Sequence, residues 1–211
     1  MYLPASFKEE RVAVLHDAIR HIKVGQLVTL GSEGLEASPL PMLIDPEPGP
    51  FGTLYGHLAR ANPQWKRAAA EPQALVTFLG PNAYVTPSWY AAKREHGKVV
   101  PTWNYITVHA TGTPRWIEDR DELLGIVTRL TNTHEGERKA PWAVTDAPAD
   151  YIDGMLKAIV GFALPITRLE GKWKLSQNRS AADIAGVREG TAAEPGDNAA
   201  ALAAAMADLP G

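Results

Sequence analysis

Between Tyr84 and Tyr105 the chain gathers Tyr84, Trp89, Tyr90, Trp103 and Tyr105, and its two indoles sit in one small phrase written twice. The two copies are Pro87-Ser88-Trp89-Tyr90 and Pro101-Thr102-Trp103-Asn104-Tyr105. Flat amphipathic rings beside Pro-fixed turns can make a stiff wall for a planar ligand. They can equally clamp a loop by packing on one another, and residue type alone leaves both readings open. A second candidate is "YGHLARANPQW", where His57 and Arg60 close a strand and Asn62 and Pro63 open a helix. Arg60, the Asn62 side chain and free backbone N–H groups would meet a phosphate there together. The plainer reading makes Arg60 a surface residue and Asn62 only a cap. The stretch "AAKREHGK" between the two Trp phrases is a solvated charged loop by composition, while its position would let Lys93 or Arg94 close over whatever the aromatics hold.

Other chemistries find no support. The histidines, His16, His21, His57, His96, His109 and His134, form neither HExxH nor a two-His-plus-carboxylate spacing, so no metal site is expected. There is no G-x-S-x-G, GxGxxG or P-loop. The absence of cysteine removes disulfides and thiol nucleophiles and leaves redox chemistry to a bound cofactor. A formal charge of −3 means that any nucleic-acid role must rest on a local patch. The opening "MYLPASFKEER" lacks a basic segment followed by an apolar one, and no window approaches the ~20 apolar residues of a membrane span. A soluble, unexported, cytoplasmic protein is expected, with no membrane partner.

The elements that must position these residues read as follows. Apolar Val12, Leu15, Ile19 and Ile22 recur at helical spacing, predicting an amphipathic helix over Phe7–Ile22, started near Ser6 and ended by Gly25. Three meander strands follow in "QLVTLGS", "LEASPLPMLID" and "FGTLYGHLA", with "DPEPGPFG" as a hairpin loop. Asn62 caps a short helix. Two strands, "QALVTFLG" and "NAYVT", lead to a capped turn at Ser88, and "TWNYITVHATGTPRWIE" reads as one long strand. Helices are predicted at Arg120–Asn132 and Asp150–Lys157, then a strand pair, "VGFALPITRLEG" and "KWKLSQN", joined by a tight turn at Gly171. Ser180 caps a further helix that Gly190 stops. Strands mixed with helices, without regular βαβ alternation, predict an α+β protein built on a small antiparallel barrel or sheet. Residues 1–190 make the domain with its N-terminal helix, and 191–211 an Ala-rich helical tail that could dock or fray.

Taken in order, "MYLPASF", "GHLARANPQW", "GPNAYVTPSWY", "VPTWNY" with "VHATG", and "KLSQNRSAADIAGV" resemble the PaiB-type FMN-binding negative transcriptional regulators over nearly the whole chain. The resemblance implies a split β-barrel related to pyridoxamine-phosphate-oxidase flavoproteins, and a homodimer with FMN in each of two clefts between subunits. It implies that Ser38, Pro39 and Leu40 on one strand and His57, Leu58, Ala59 and Arg60 at the end of another lie along the flavin, with Asn62 near its phosphate. The partner subunit is expected to contribute Trp103 and Tyr105 and also Ser176, Gln177 and Asn178. The implied role is transcriptional repression, although the charge disfavours direct DNA binding. Two alternatives are a small flavin reductase or oxidase, and a storage dimer holding another planar molecule such as haem, with His57 or His109 on the iron.

Overall fold

The computed structural model describes residues 1–68 and 73–208. Eight strands and seven helices run through them: β1 (Lys8–Glu9), α1 (Val12–Ile22), β2 (Val24–Gly31), β3 (Gly34–Asp45), β4 (Thr53–Ala59), α2 (Gln64–Arg67), β5 (Ala74–Val85), α3 (Ala92–Glu95), β6 (Thr102–Gly112), β7 (Arg115–Ile117), α4 (Arg120–Glu135), α5 (Ala149–Lys157), β8 (Ile159–Lys174), α6 (Ala181–Ala193) and α7 (Asp197–Ala207). The strands form one sheet in the order β1-β8-β4-β3-β2-β5-β6, with β7 added to β8. A further pairing of β8 with β6 brings the path back on itself, so the sheet curls into a barrel. The chain divides into a larger unit, Val12–Phe78 with His109–Leu169, and a smaller one, Met1–Arg11 with Leu79–Val108 and Glu170–Gly211.

In the larger unit the meander is as predicted: β2 pairs antiparallel with β3 from Val24↔Pro41 to Gly31↔Gly34, and β3 with β4 from Met42↔Gly56 to Asp45↔Thr53. Gly25, expected to end the first helix, lies inside β2. A Cβ there would stand 2.7 Å from the Phe78 ring, so the glycine makes room for a fully buried aromatic. The helix already ends at Ile22, where Lys23 takes φ 67° and its N–H bonds to the Ile19 carbonyl. Helices α4 and α5 close another core in this unit, Leu123, Ile126, Leu130 and Leu156 packing with Leu43, Ile117 and Ala163. The predicted long strand is broken at Thr113-Pro114 into β6 and β7, since proline cannot donate to a ladder.

In the smaller unit, Lys8 and Glu9 pair with Lys172 and Gly171, so the first helix starts at Val12 and not at Phe7. The apolar period was right for Val12–Ile22, but the charged lead-in has an edge strand to join. That pairing also corrects the turn at Gly171: β8 runs without a break from Ile159 to Lys174. β5 likewise absorbs both predicted strands across Gly80-Pro81. The Ala-rich stretch docks, α7 burying Leu202 and Met206 with Val85, Tyr90, Ile106, Leu175 and Val187. Gly190 does not stop α6, which continues to Ala193. A Cβ at Gly190 would meet the Trp89 ring at 2.3 Å, and one at Gly186 the Trp89 carbonyl at 2.2 Å. Two glycines one turn apart thus form a seat for the first indole.

Gly190→Ala should therefore destabilise the chain despite alanine's better helix propensity, by about 1–3 kcal/mol of overpacking. Gly125→Ala, where nothing lies within 4 Å of the added carbon, should stabilise it by up to about 1 kcal/mol. Thermal melts of the two variants should move in opposite directions.

Candidate functional site

Two groups of predicted residues lie in the larger unit. Gln64, the first residue of α2, is 1% exposed and fully bonded. Its Oε1 accepts from Ser38 Oγ at 2.6 Å, and its Nε2 shares its hydrogens among Leu27 O (3.1 Å), Thr29 Oγ1 (3.1 Å) and Glu36 O (3.2 Å). Asn62 Nδ2 donates to Ser38 Oγ at 2.9 Å, while Asn62 Oδ1 accepts from Gln64 N at 3.0 Å. Asn62 thus performs its expected capping role, and the network fastens α2 to β2 and β3. Leu40 and Leu58 are buried, so only their backbone could face a ligand; Pro39 and Ala59 are exposed.

Arg60 is not turned toward the Asn62 turn. Its Nη1 donates to Glu118 at 2.5 Å, its Nε to the Lys157 carbonyl at 2.9 Å, and its guanidinium lies 5.9 Å from the Trp65 ring. With four residues, α2 offers little dipole, so the expected meeting of Arg60, Asn62 and a helix tip on one anion is not formed. Arg60 instead borders a cavity of about 190 Å³ lined also by Glu118, Arg120, Leu123, Asp153, Leu156 and Lys157. Arg60 pairs with Glu118 and Arg120 with Asp153, which leaves Lys157 as surplus positive charge. On β4, the His57 Nδ1 is buried without a hydrogen-bond partner, and burial holds the imidazole pKa below its ordinary value.

The aromatic residues of the smaller unit do not make one wall. Strand alternation on β6 buries Asn104 and leaves Trp103 53% exposed, edge-on to Tyr84 at 6.2 Å. Tyr105 lies under the ammonium groups of Lys172 (5.4 Å) and Lys174 (5.9 Å). Tyr90 is 1% exposed within the core, and Trp89 sits on the α6 glycines. The first Pro-hydroxyl-Trp unit is therefore a clamp, closed by Thr86 Oγ1 accepting from Ser88 N, and only the second presents its indole. Lys93, weighed as a lid, donates to Ser88 Oγ at 3.0 Å. Ser176 is buried and paired with Asn104 (3.0 Å), and Gln177 bonds the backbone of Leu175 and Trp173. Asn178 is exposed. Sequence reasoning missed Gln64, Glu118, Lys172, Lys174 and Arg179. The "KWKLSQNR" run offered a signal for the last three in its three cations at short spacing.

The family described as "Putative FMN-binding domain" matches residues 1–168. The chain belongs to this FMN-binding family. It is 33% identical over 208 residues to "Protease synthase and sporulation protein PAI 2" of Bacillus subtilis, covering 99% of this chain and 97% of that one. An uncharacterized protein of Aspergillus fumigatus is 36% identical, with 90% of each chain covered. Among solved structures, an FAD and heme binding protein from Mycobacterium smegmatis superposes with a TM-score of 0.60 at 17% identity, over 84% of this chain and 78% of that one. The flavocytochrome Anf3 from Azotobacter vinelandii gives 0.56 at 11% identity, over 85% and 75%. These likenesses establish the split-barrel fold. The expected family and fold are borne out, and FMN is the family's cofactor.

The residues fit that group. A buried imidazole nitrogen without a partner suits a ligand's polar edge, and three cations against two carboxylates around one cavity suit a phosphate. When bound, FMN supplies one- and two-electron chemistry, and the protein's part is to position it and exclude water. Among the described residues there is no cluster of His, Cys, Asp or Glu able to hold a metal, and no helix is long and apolar enough to cross a membrane.

His57 also has a pH consequence. Its depressed pKa contributes stability that is complete above the unfolded value of about 6.5 and is lost as pH falls through that value toward the folded one. Glu9, held down chiefly by its hydrogen bond to Arg11, acts only at lower pH. Tm should drop between about pH 7 and 5, and drop less in His57→Phe; equal slopes would remove His57 as the source.

Proposed function

We propose that the chain works as an FMN-holding homodimer that restrains gene expression without itself seating a helix in DNA. The flavin reading is carried by the β4 end, where the unpartnered His57 nitrogen lies on the strand that ends beside a cation-rich cavity. In this reading Ser38, Pro39, Leu40, His57, Leu58, Ala59, Arg60 and Asn62 line the cofactor, Leu40 and Leu58 through their backbone. A second copy contributes Trp103, Tyr105, Ser176, Gln177 and Asn178. An exposed indole edge-on to a tyrosine is a surface that a planar ring or a neighbouring copy can cover.

The regulatory part is supported by likeness along nearly the full length of the Bacillus protein, whose name concerns protease synthesis and sporulation. Charge argues against direct operator contact. The chain carries −3 overall, and α6 sets one arginine, Arg188, against Asp183 and Glu189. Regulation then runs through a bound metabolite or a protein. A second reading, a cytoplasmic flavin-dependent oxidoreductase, is favoured by a pocket in the smaller unit whose cations, Lys174 and Arg179, have no carboxylate partner among the described residues.

Untreated protein should show flavin absorbance, release FMN by mass, and run as a dimer; a colourless monomer that ignores added FMN would falsify the flavin reading. Trp103→Ala or Tyr105→Ala should weaken flavin retention or dimerisation more than Lys98→Ala does. Gel shifts over a salt series should show no operator binding above the nonspecific background. Rapid bleaching on anaerobic mixing with NADH or NADPH would favour the oxidoreductase.

A further inference from the structure

The smaller unit holds a pocket of about 150 Å³ lined by Phe7, Tyr90, Val100, Pro101, Thr102, Asn104, Lys174, Ser176, Asn178 and Arg179. Its volume corresponds to about five water molecules, enough for a phosphate or a small carboxylate and too small for a flavin ring system. No carboxylate lines it. Arg179 stacks on the Tyr90 ring at 5.0 Å and takes part in no ion pair among the described residues, and Lys174 donates to Thr102 Oγ1 (2.6 Å) and to the Trp103 carbonyl, both neutral. The carboxylate that acts on Tyr90 is Asp183, which is buried and accepts from Ala92 N at 3.0 Å.

The telling group is the Tyr90 hydroxyl. It is buried within hydrogen-bonding reach of Ser176 and Arg179, yet with neither does it make a bond of good geometry. A buried hydroxyl without a partner is a standing penalty unless something arrives to accept from it. Ser176 could not easily turn to serve, since it is committed to Asn104 and its backbone is held at φ 68°. Burial, with Lys172 and Arg179 nearby, lowers the pKa of Lys174, as expected of cations crowded together without a counter-ion.

We propose that this pocket is a binding site for the oxyanion of a small molecule, a phosphate or carboxylate group. Tyr90 Oη and the amide of the exposed Asn178 donate to it, and Arg179 and Lys174 balance its charge. The site is assembled within one unit of one chain, and it rests on the cofactor reading only in sharing Ser176 and Asn178 with the residues proposed above to reach the flavin of a second copy. It gives the oxidoreductase reading a substrate class, an acidic metabolite, and the regulatory reading an effector of the same class.

The test is calorimetric titration of the full-length protein, with and without FMN, using inorganic phosphate and acetate as probes and chloride as the control. Saturable binding of either oxyanion is expected, weakened about tenfold or more in Tyr90→Phe and Arg179→Gln. Whichever probe binds more tightly names the source of the anion. Tyr90→Phe should melt no lower than the wild type in the absence of anion, because the hydroxyl removed had no partner; this separates lost binding from lost folding. No saturable binding by the wild type, or equal affinity across the three proteins, overturns the proposal. The flavin spectrum of the same samples separates the two readings, since protein that binds the anion but neither carries nor takes up flavin would sink the cofactor assignment and leave this one intact.

Discussion

A buried amide that has made every bond available to it admits one arrangement of its surroundings, and Gln64 is such an amide. Its carbonyl is taken by Ser38 and its amino group by two strand carbonyls and a threonine hydroxyl, so β2, β3 and the turn after β4 must all be in register for any of them to be satisfied. Fully satisfied polar networks specify a unique geometry because their partly made forms leave unpaired groups in a low-dielectric interior. The strand ends that carry Ser38, His57 and Asn62 are set by this fastening.

Polar satisfaction also marks where the molecule is unfinished. Most buried polar side chains in this chain find a partner within it, as Asn104 and Ser176 do. Among the exceptions are His57, on the strand that ends beside Arg60, and Tyr90, under the Arg179 guanidinium. An unpaired buried donor or acceptor points outward from the chain to something it binds. The two orphans belong to different units and have different surroundings. One lies on the strand ending beside Arg60 and its paired acids, the other beside Arg179, with Asp183 as the neighbouring acid.

Much of this was legible in the sequence. The meander β2-β3-β4, helices α4 and α5 and the Ser180 cap followed from period, turn residues and capping chemistry. What failed did so for nameable reasons. Gly171 and Gly80-Pro81 look like punctuation, but strand neighbours override local preference, so β8 and β5 run straight through them. Gly190 looks like a helix stop and is a seat for an indole, a contact between residues a hundred positions apart that no local pattern reveals. The aromatic cluster was legible, but not which of its two readings, wall or clamp, holds for which ring. The two-residue period of β6, written plainly in Trp103-Asn104-Tyr105-Ile106, already divides outward rings from inward groups. That Arg60 turns away from Asn62 was not legible because its partner, Glu118, lies 58 residues away.

Both units are discontinuous in the chain, the smaller drawn from three segments and the larger from two, with β5, β6 and β8 each beginning in one and finishing in the other. No single stretch of the gene encodes either unit. Recombination that swaps whole modules between proteins has no seam here at which to cut, so a lineage can alter the surroundings of His57 and of Tyr90 only by point changes within a common frame.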